Sequence, residues 1–198
     1  MEPVAVILSG GQSRRMGRDK AVLDFGGKPM LTHLVELYRP CFSQVYVSVN
    51  RSGRFDTAGA PEIVDHRAGV GPLAALESVF LDTDAQVIFF TATDLPFGDP
   101  STALALTRNC QGHDACLLSL DEPLFAAYHR RCLPAVTAAL DRDERPLRRL
   151  VQGLDCALLP CGDALRRRIL TNVNDPEQYR RALALLREED PEKEGTAP

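Results

Sequence analysis

No stretch of this 198-residue chain approaches the ~18 consecutive apolar residues that a membrane-spanning helix requires. The N-terminal apolar run Val4-Ala5-Val6-Ile7-Leu8 is too short for a signal peptide and lacks a basic flank, so the expectation is a cytoplasmic protein that meets no membrane. An excess of positive charge is missing too. With 23 basic against 27 acidic residues the formal charge is −4, which argues against a general nucleic-acid binder, a role that needs a basic face to displace counterions. Cations that hold an anion must then be concentrated locally. The cysteines, Cys41, Cys110, Cys116, Cys132, Cys156 and Cys161, form no C-x-x-C pair. The histidines, His33, His66, His113 and His129, show no H-E-x-x-H spacing. These absences remove the commonest zinc patterns and favour reduced, buried thiols.

What is present is ordinary globular material, 44% apolar and 25% charged, enough for one full core and short for two. We expect a single domain over residues 1–187, then a charged tail, 188–198, too polar to order. Short β-rich runs (Val4 to Leu8, Val45 to Val49, Val87 to Thr91, Cys116 to Leu120) alternate with helical patterns at Met30 to Tyr38, Pro72 to Leu81 and Thr102 to Thr107. This is the alternation of a doubly wound α/β fold with a mostly parallel sheet. The second half is less regular. It reads as a strand over Leu124 to His129, helices over Cys132 to Arg142 and Pro146 to Gly153, an edge strand over Cys156 to Leu159, and a terminal helix from Pro176 to Arg187 capped by Asp175.

In such sheets ligands collect beyond the carboxyl ends of the strands, and the chemically loaded residues fall there. Leu8 runs straight into Ser9-Gly10-Gly11-Gln12-Ser13-Arg14-Arg15-Met16-Gly17, then Arg18-Asp19-Lys20. A loop whose amides close on phosphate oxygens cannot carry side chains on its inner face, so glycine belongs there, and Arg15 and Lys20 bring the charge that a polyphosphate needs. It is neither a P-loop nor a dinucleotide fingerprint: five residues separate Gly11 from Gly17, and the lysine comes three positions later. Asp94 follows the buried-strand pattern Val87 to Thr93, where a carboxylate is costly unless it meets a cation. Mg²⁺ is the natural cation beside phosphates, and a cap on the following turn is the alternative. Asp65, before the glycines and proline of Gly69-Val70-Gly71-Pro72, could accept hydrogen bonds from a sugar or base or simply close its loop. Asn172 and Asn174 alternate along an extended segment suited to turn chemistry or to a site.

Together Leu8-Ser9-Gly10-Gly11-x-Ser13-x-Arg15-Met16-Gly17-x-Asp19-Lys20, Gly26-Gly27-Lys28-Pro29, Gly71-Pro72-Leu73-Ala74, Asp94-Leu95-Pro96-Phe97, Glu122-Pro123-Leu124-Phe125-Ala126 and Thr171-Asn172-Val173-Asn174-Asp175-Pro176 resemble the molybdenum cofactor guanylyltransferase family, over about residues 4 to 187. The resemblance implies a Rossmann-like nucleotidyltransferase fold. It also implies transfer of GMP from Mg-GTP to the terminal phosphate of molybdopterin, the molybdenum cofactor, with release of pyrophosphate. It places GTP on Leu8, Ser9, Gly10, Gly11 and Lys20, its base and ribose near Ser48 and Asp65, and both Mg²⁺ and nucleotide on Asp94. Arg15 and Lys20 would draw off charge from the departing pyrophosphate. Transient contacts with proteins that deliver and receive the cofactor are implied as well. Two positions depart from the pattern. Ser9 stands where alanine is commoner, and Ser48 where relatives carry asparagine, so that Asn50 could substitute in touching the base. The N-terminal loop alone also suits a nucleotidyltransferase that uses CTP, or one with a sugar or polyol phosphate acceptor, or a nucleotide-binding protein without chemistry. The arginines of Arg148-Arg149 and Arg166-Arg167-Arg168 read as solvated helix faces before phosphate grips.

Overall fold

A computed structural model describes residues 3–9 and 18–189. Its sheet has seven strands: β1 Val4–Leu8, β2 Val45–Val49, β3 Glu62–Val64, β4 Val87–Ala92, β5 Ala115–Leu117, β6 Ala126–His129 and β7 Cys156–Leu158. They lie in the order β3-β2-β1-β4-β6-β5-β7. β6 alone runs antiparallel to its neighbours β4 and β5, and every other pairing is parallel. The expected doubly wound, mostly parallel sheet is therefore the observed one. From β1 the chain winds outward through β2 and β3, then returns to pair β4 with the other side of β1. The switch point lies between β1 and β4, the place in such sheets where a ligand crevice opens.

Alternation along each strand splits the core in two. Val4, Val6, Ile88, Phe90 and Tyr128 pack beneath α2 (Pro72–Asp82) and α4 (Leu133–Asp141). Ala5, Ile7, Phe89, Cys116 and Ala127 pack beneath α1 (Met30–Tyr38) and α3 (Pro100–Asn109). Phe89 lies at the centre of an aromatic group, its ring centroid 5.1 Å from Tyr38, 5.6 Å from Phe42 and 4.9 Å from Phe125. All six cysteines are free thiols, and burial pushes Cys110 and Cys132 up to about 12. None of the described helices is long and apolar enough to cross a membrane.

Several boundaries differ from the sequence pattern, α3 among them, which spans Pro100–Asn109 where the pattern marks Thr102 to Thr107. β5 starts at Ala115 and stops at Leu117, because Ser119 turns the chain: its Oγ accepts from Asp121 N and its carbonyl from Glu122 N. β6 begins only at Ala126. Two further short helices follow α4, namely α5 (Leu147–Val151) and α6 (Asp163–Ile169). The sequence marks α6 only through Arg166-Arg167-Arg168, read as a solvated helix face, because it buries Ile169 alone and prints no 3.6-residue apolar pattern. The last helix, α7 (Pro176–Glu189), is capped by Asp175 as expected, with Oδ1 accepting from Glu177 N and Gln178 N. It runs two residues past the expected start of the tail, and residues 190–198 lie outside the described ones.

The segment after β4 is pinned at both ends. Asp99 accepts from Thr102 N at 2.7 Å and caps α3, while a small third core of Phe25, Met30, Phe97, Val173 and Ala182 seats it under α7. Gly98 lies against Tyr38: a Cβ there would stand 1.8 Å from Tyr38 Oη and 2.8 Å from Cζ. The ring is wholly buried and held by Phe42 and Phe89, so it cannot yield. Gly98→Ala is expected to cost about 2–3 kcal/mol, measured by urea unfolding, with part of the loss recovered in Gly98→Ala/Tyr38→Phe. Full stability in the single variant would mean that the loop can move away from α1.

Candidate active site

The switch point gathers side chains from four separate segments. Ser9 N donates to Ser48 O at 2.9 Å, and Thr93 N donates to Leu8 O at 3.1 Å. The carboxyl ends of β2, β1 and β4 are thus stitched into one continuous edge, carrying Ser48, Ser9 and Asp94 in order. Gly10, Gly11 and Arg15 lie outside the described residues. Lys20, just beyond them, begins a single 3₁₀ turn whose cap, Asp19, accepts from Ala21 N and pairs with Arg54 at 2.7 Å.

Lys20 Nζ donates to Asn174 Oδ1 at 2.6 Å and stands 3.4 Å from Asp94 Oδ2. Asp94 keeps its other oxygen apart. Oδ1 is buried and has no hydrogen-bond partner among the described residues, so half of this carboxylate is desolvated without compensation from them. Asp94 is therefore not a cap of the following turn. Asn174 reaches the site because Val173 N donates to Asp94 O at 2.9 Å, bringing the chain back over β4, and Asn174 N donates to Gln178 Oε1 at 2.7 Å. In the sequence Asn174 reads as turn or site, from its alternation with Asn172 and its place in the Thr171 to Pro176 segment of the family resemblance. Asn172 turns elsewhere, donating to Glu122 Oε2 at 3.1 Å.

One strand over, Ser48 Oγ donates to Asp65 Oδ1 at 2.8 Å, with both side chains buried. Burial raises the Asp65 carboxyl above its ordinary range, and the Ser48 hydrogen bond partly offsets this. The Ser48 hydroxyl is thus spent on Asp65. Asn50 Oδ1 accepts from Gly69 N at 3.2 Å, so its amide is tied to the loop that follows Asp65. Of the two arginine groups, Arg148 and Arg149 lie exposed on α5, whereas the Arg168 guanidinium sits 5.4 Å over the Phe97 ring, next to the Asp94 segment.

A lysine, a half-unpartnered carboxylate and a carboxamide on one edge, beside a buried Ser–Asp pair, can bind a polyanion at one end and a polar ring at the other. No Ser-His-Asp or Cys-His arrangement occurs among the described residues of the site. A family model described as the MobA-like NTP transferase domain matches residues 5–158. The chain is 31% identical over 184 residues to the molybdenum cofactor guanylyltransferase of Pseudomonas putida (strain GB-1), covering 87% of this chain and 93% of that protein. It is 29% identical over 188 residues to the probable molybdenum cofactor guanylyltransferase of Carboxydothermus hydrogenoformans, covering 91% and 94%. In fold it is similar to molybdopterin-guanine dinucleotide biosynthesis protein A from Archaeoglobus fulgidus, with a TM-score of 0.80 and 24% identity over 93% of this chain and 99% of that one.

Proposed function

We propose that this chain, which belongs to the MobA-like NTP transferase domain family, transfers GMP from GTP to the terminal phosphate of molybdopterin and releases pyrophosphate. The observation that carries the reading is the meeting of Lys20, Asp94 and Asn174 at the switch point, with Asp94 Oδ1 buried and without a partner among the described residues.

Such an oxygen suits a Mg²⁺ ligand, and the donor set fits: Mg²⁺ takes one or two carboxylates and fills its shell with substrate phosphates and water. Among the described residues no group of three or more His, Cys, Asp or Glu side chains is placed to hold a metal, which matches a cation shared with the nucleotide. When bound, the ion would neutralise phosphate charge and polarise the α-phosphorus. The acceptor needs little help. A phosphate monoester has its second pKa at about 6, so it arrives largely as a dianionic nucleophile and no side-chain base is required. What the protein must supply is alignment of two repelling anions and relief of charge on the leaving group. Lys20, with Arg15, serves the departing pyrophosphate. Ser9 presents backbone to the nucleotide, and Asp65, oriented by Ser48, faces its ribose and base.

Pyrophosphate release measured side by side with GTP and CTP, each with molybdopterin or with a sugar phosphate as acceptor, tests this directly. Turnover is expected with GTP and molybdopterin in the presence of Mg²⁺. Preference for CTP, or for the sugar phosphate, would overturn the assignment.

A further inference from the structure

The loop between β3 and α2 carries Asp65 at its start and two glycines with positive φ, Gly69 at 75° and Gly71 at 98°. A Cβ at either glycine would meet nothing within 4 Å, so it is backbone conformation, not crowding, that demands glycine there. His66, Ala68 and Gly69 are exposed, and the loop contributes little to either core. It is held from behind. His66 N donates to Ser78 Oγ at 2.8 Å, and Arg67 reaches back to Glu77 through Nε at 2.9 Å and Nη2 at 3.2 Å.

Glu77 is the unusual member. It lies in the middle of α2 with only 3% of its surface exposed, a charge inside an apolar helix face. Two groups of α4 complete its surroundings: Thr137 Oγ1 donates to Glu77 Oε1 at 2.9 Å, and Asp141 Oδ1 lies 2.8 Å from Arg67 Nη2. For stability alone this is a poor use of the position. Only the Glu77 carboxylate is buried, Arg67 and Asp141 keeping 34% and 62% of their side-chain surface exposed, so the pair adds little net stability, whereas loss of Arg67 leaves the buried carboxylate without its cation. What the pair does supply is geometry, because the guanidinium is a rigid fork that fixes both distance and plane.

We propose that the Arg67–Glu77 pair, braced by Thr137 and Asp141, is a positioning device that sets the height of the Asp65–Gly71 loop and thereby the affinity for the nucleoside end of GTP. Neither residue touches substrate. The proposal rests on the guanylyl-transfer reading for its ligand, but not for its structural content.

Three variants test it: Glu77→Gln, Arg67→Lys, and the apolar pair Arg67→Met/Glu77→Leu, which leaves no stranded charge and keeps the protein folded. Each is expected to raise KM for GTP by about tenfold with kcat at saturating GTP within about twofold of parental, because binding is lost and the reacting groups are untouched. Amides of residues 66–71 should exchange hydrogen faster than in the parental protein, with the other loops unchanged. A parental KM in the folded apolar pair would show that the ion pair only fills space, and a fall in kcat at constant KM would place its effect elsewhere. Unaltered exchange at 66–71 would also overturn the proposal. Because exchange needs no substrate, it stands apart from the reading itself, which fails if the parental protein does not turn over GTP.

Discussion

Asp94→Asn releases no measurable pyrophosphate, at least about 10³-fold below the parental rate, while its circular dichroism and Tm stay parental. The expectation follows from how the two carboxylate oxygens are used. Oδ2 contributes only a long contact to Lys20, 3.4 Å, and a partly solvated pair of that length adds little stability. Oδ1 has no hydrogen-bond partner among the described residues, so no described contact is lost there. The backbone contact that brings residues 171–175 over the site runs through Asp94 O, which the substitution leaves in place. An amide is isosteric with the carboxylate but a poor ligand for a hard cation, so chemistry alone is removed. Turnover at the parental rate would take the metal away from Asp94.

Lys20→Ala is expected to lower kcat/KM for GTP by about 10²-fold, through both a higher KM and a lower kcat. The ammonium sits between Asn174 Oδ1 and Asp94 Oδ2, so its loss removes the cation proposed to meet the phosphates and also frees two groups that it holds in register. Lys20→Arg should restore only a minor part. A planar guanidinium cannot take the place of a compact ammonium 2.6 Å from a carboxamide oxygen. Unchanged kinetics in Lys20→Ala would remove this lysine from the site, and a change in KM alone would confine it to binding.

How much of this the sequence shows depends on where each contact is made. β1 and β2 are legible to the residue, because buried strands of a parallel sheet are near-continuous apolar runs, broken in β2 only by Ser48. The helix carrying Pro72 at its first turn is equally plain. Asp94 and Asp65 are legible as candidates, since a carboxylate directly after a buried strand has few cheap explanations. What each one touches is not. Ser48 is 17 residues from Asp65, Asn174 is 154 from Lys20, and Glu77 reads as one polar residue in an apolar helix until Arg67 is seen against it. Pairings of that kind are set by sheet order, and the insertion of β6 between β4 and β5 leaves no periodic trace. Helix α6 escapes for the opposite reason, having almost no buried face to print a pattern.

The hydrogen bonds from Lys20 to Asn174 and from Tyr179 to Asp24 span 154 and 155 residues. Their consequence concerns time during synthesis. At about 5–20 residues per second, β1 to β4 leave the ribosome seconds before the segment that carries Asn174. Throughout that interval the nascent chain owns Lys20 and Asp94 but not the strand of backbone that settles on Asp94 O. The edge at the switch point is therefore completed only once that segment has been made, because Asn174 and Lys20 lie 154 residues apart. In a growing chain Lys20 accordingly waits without its Asn174 partner for the whole of that interval.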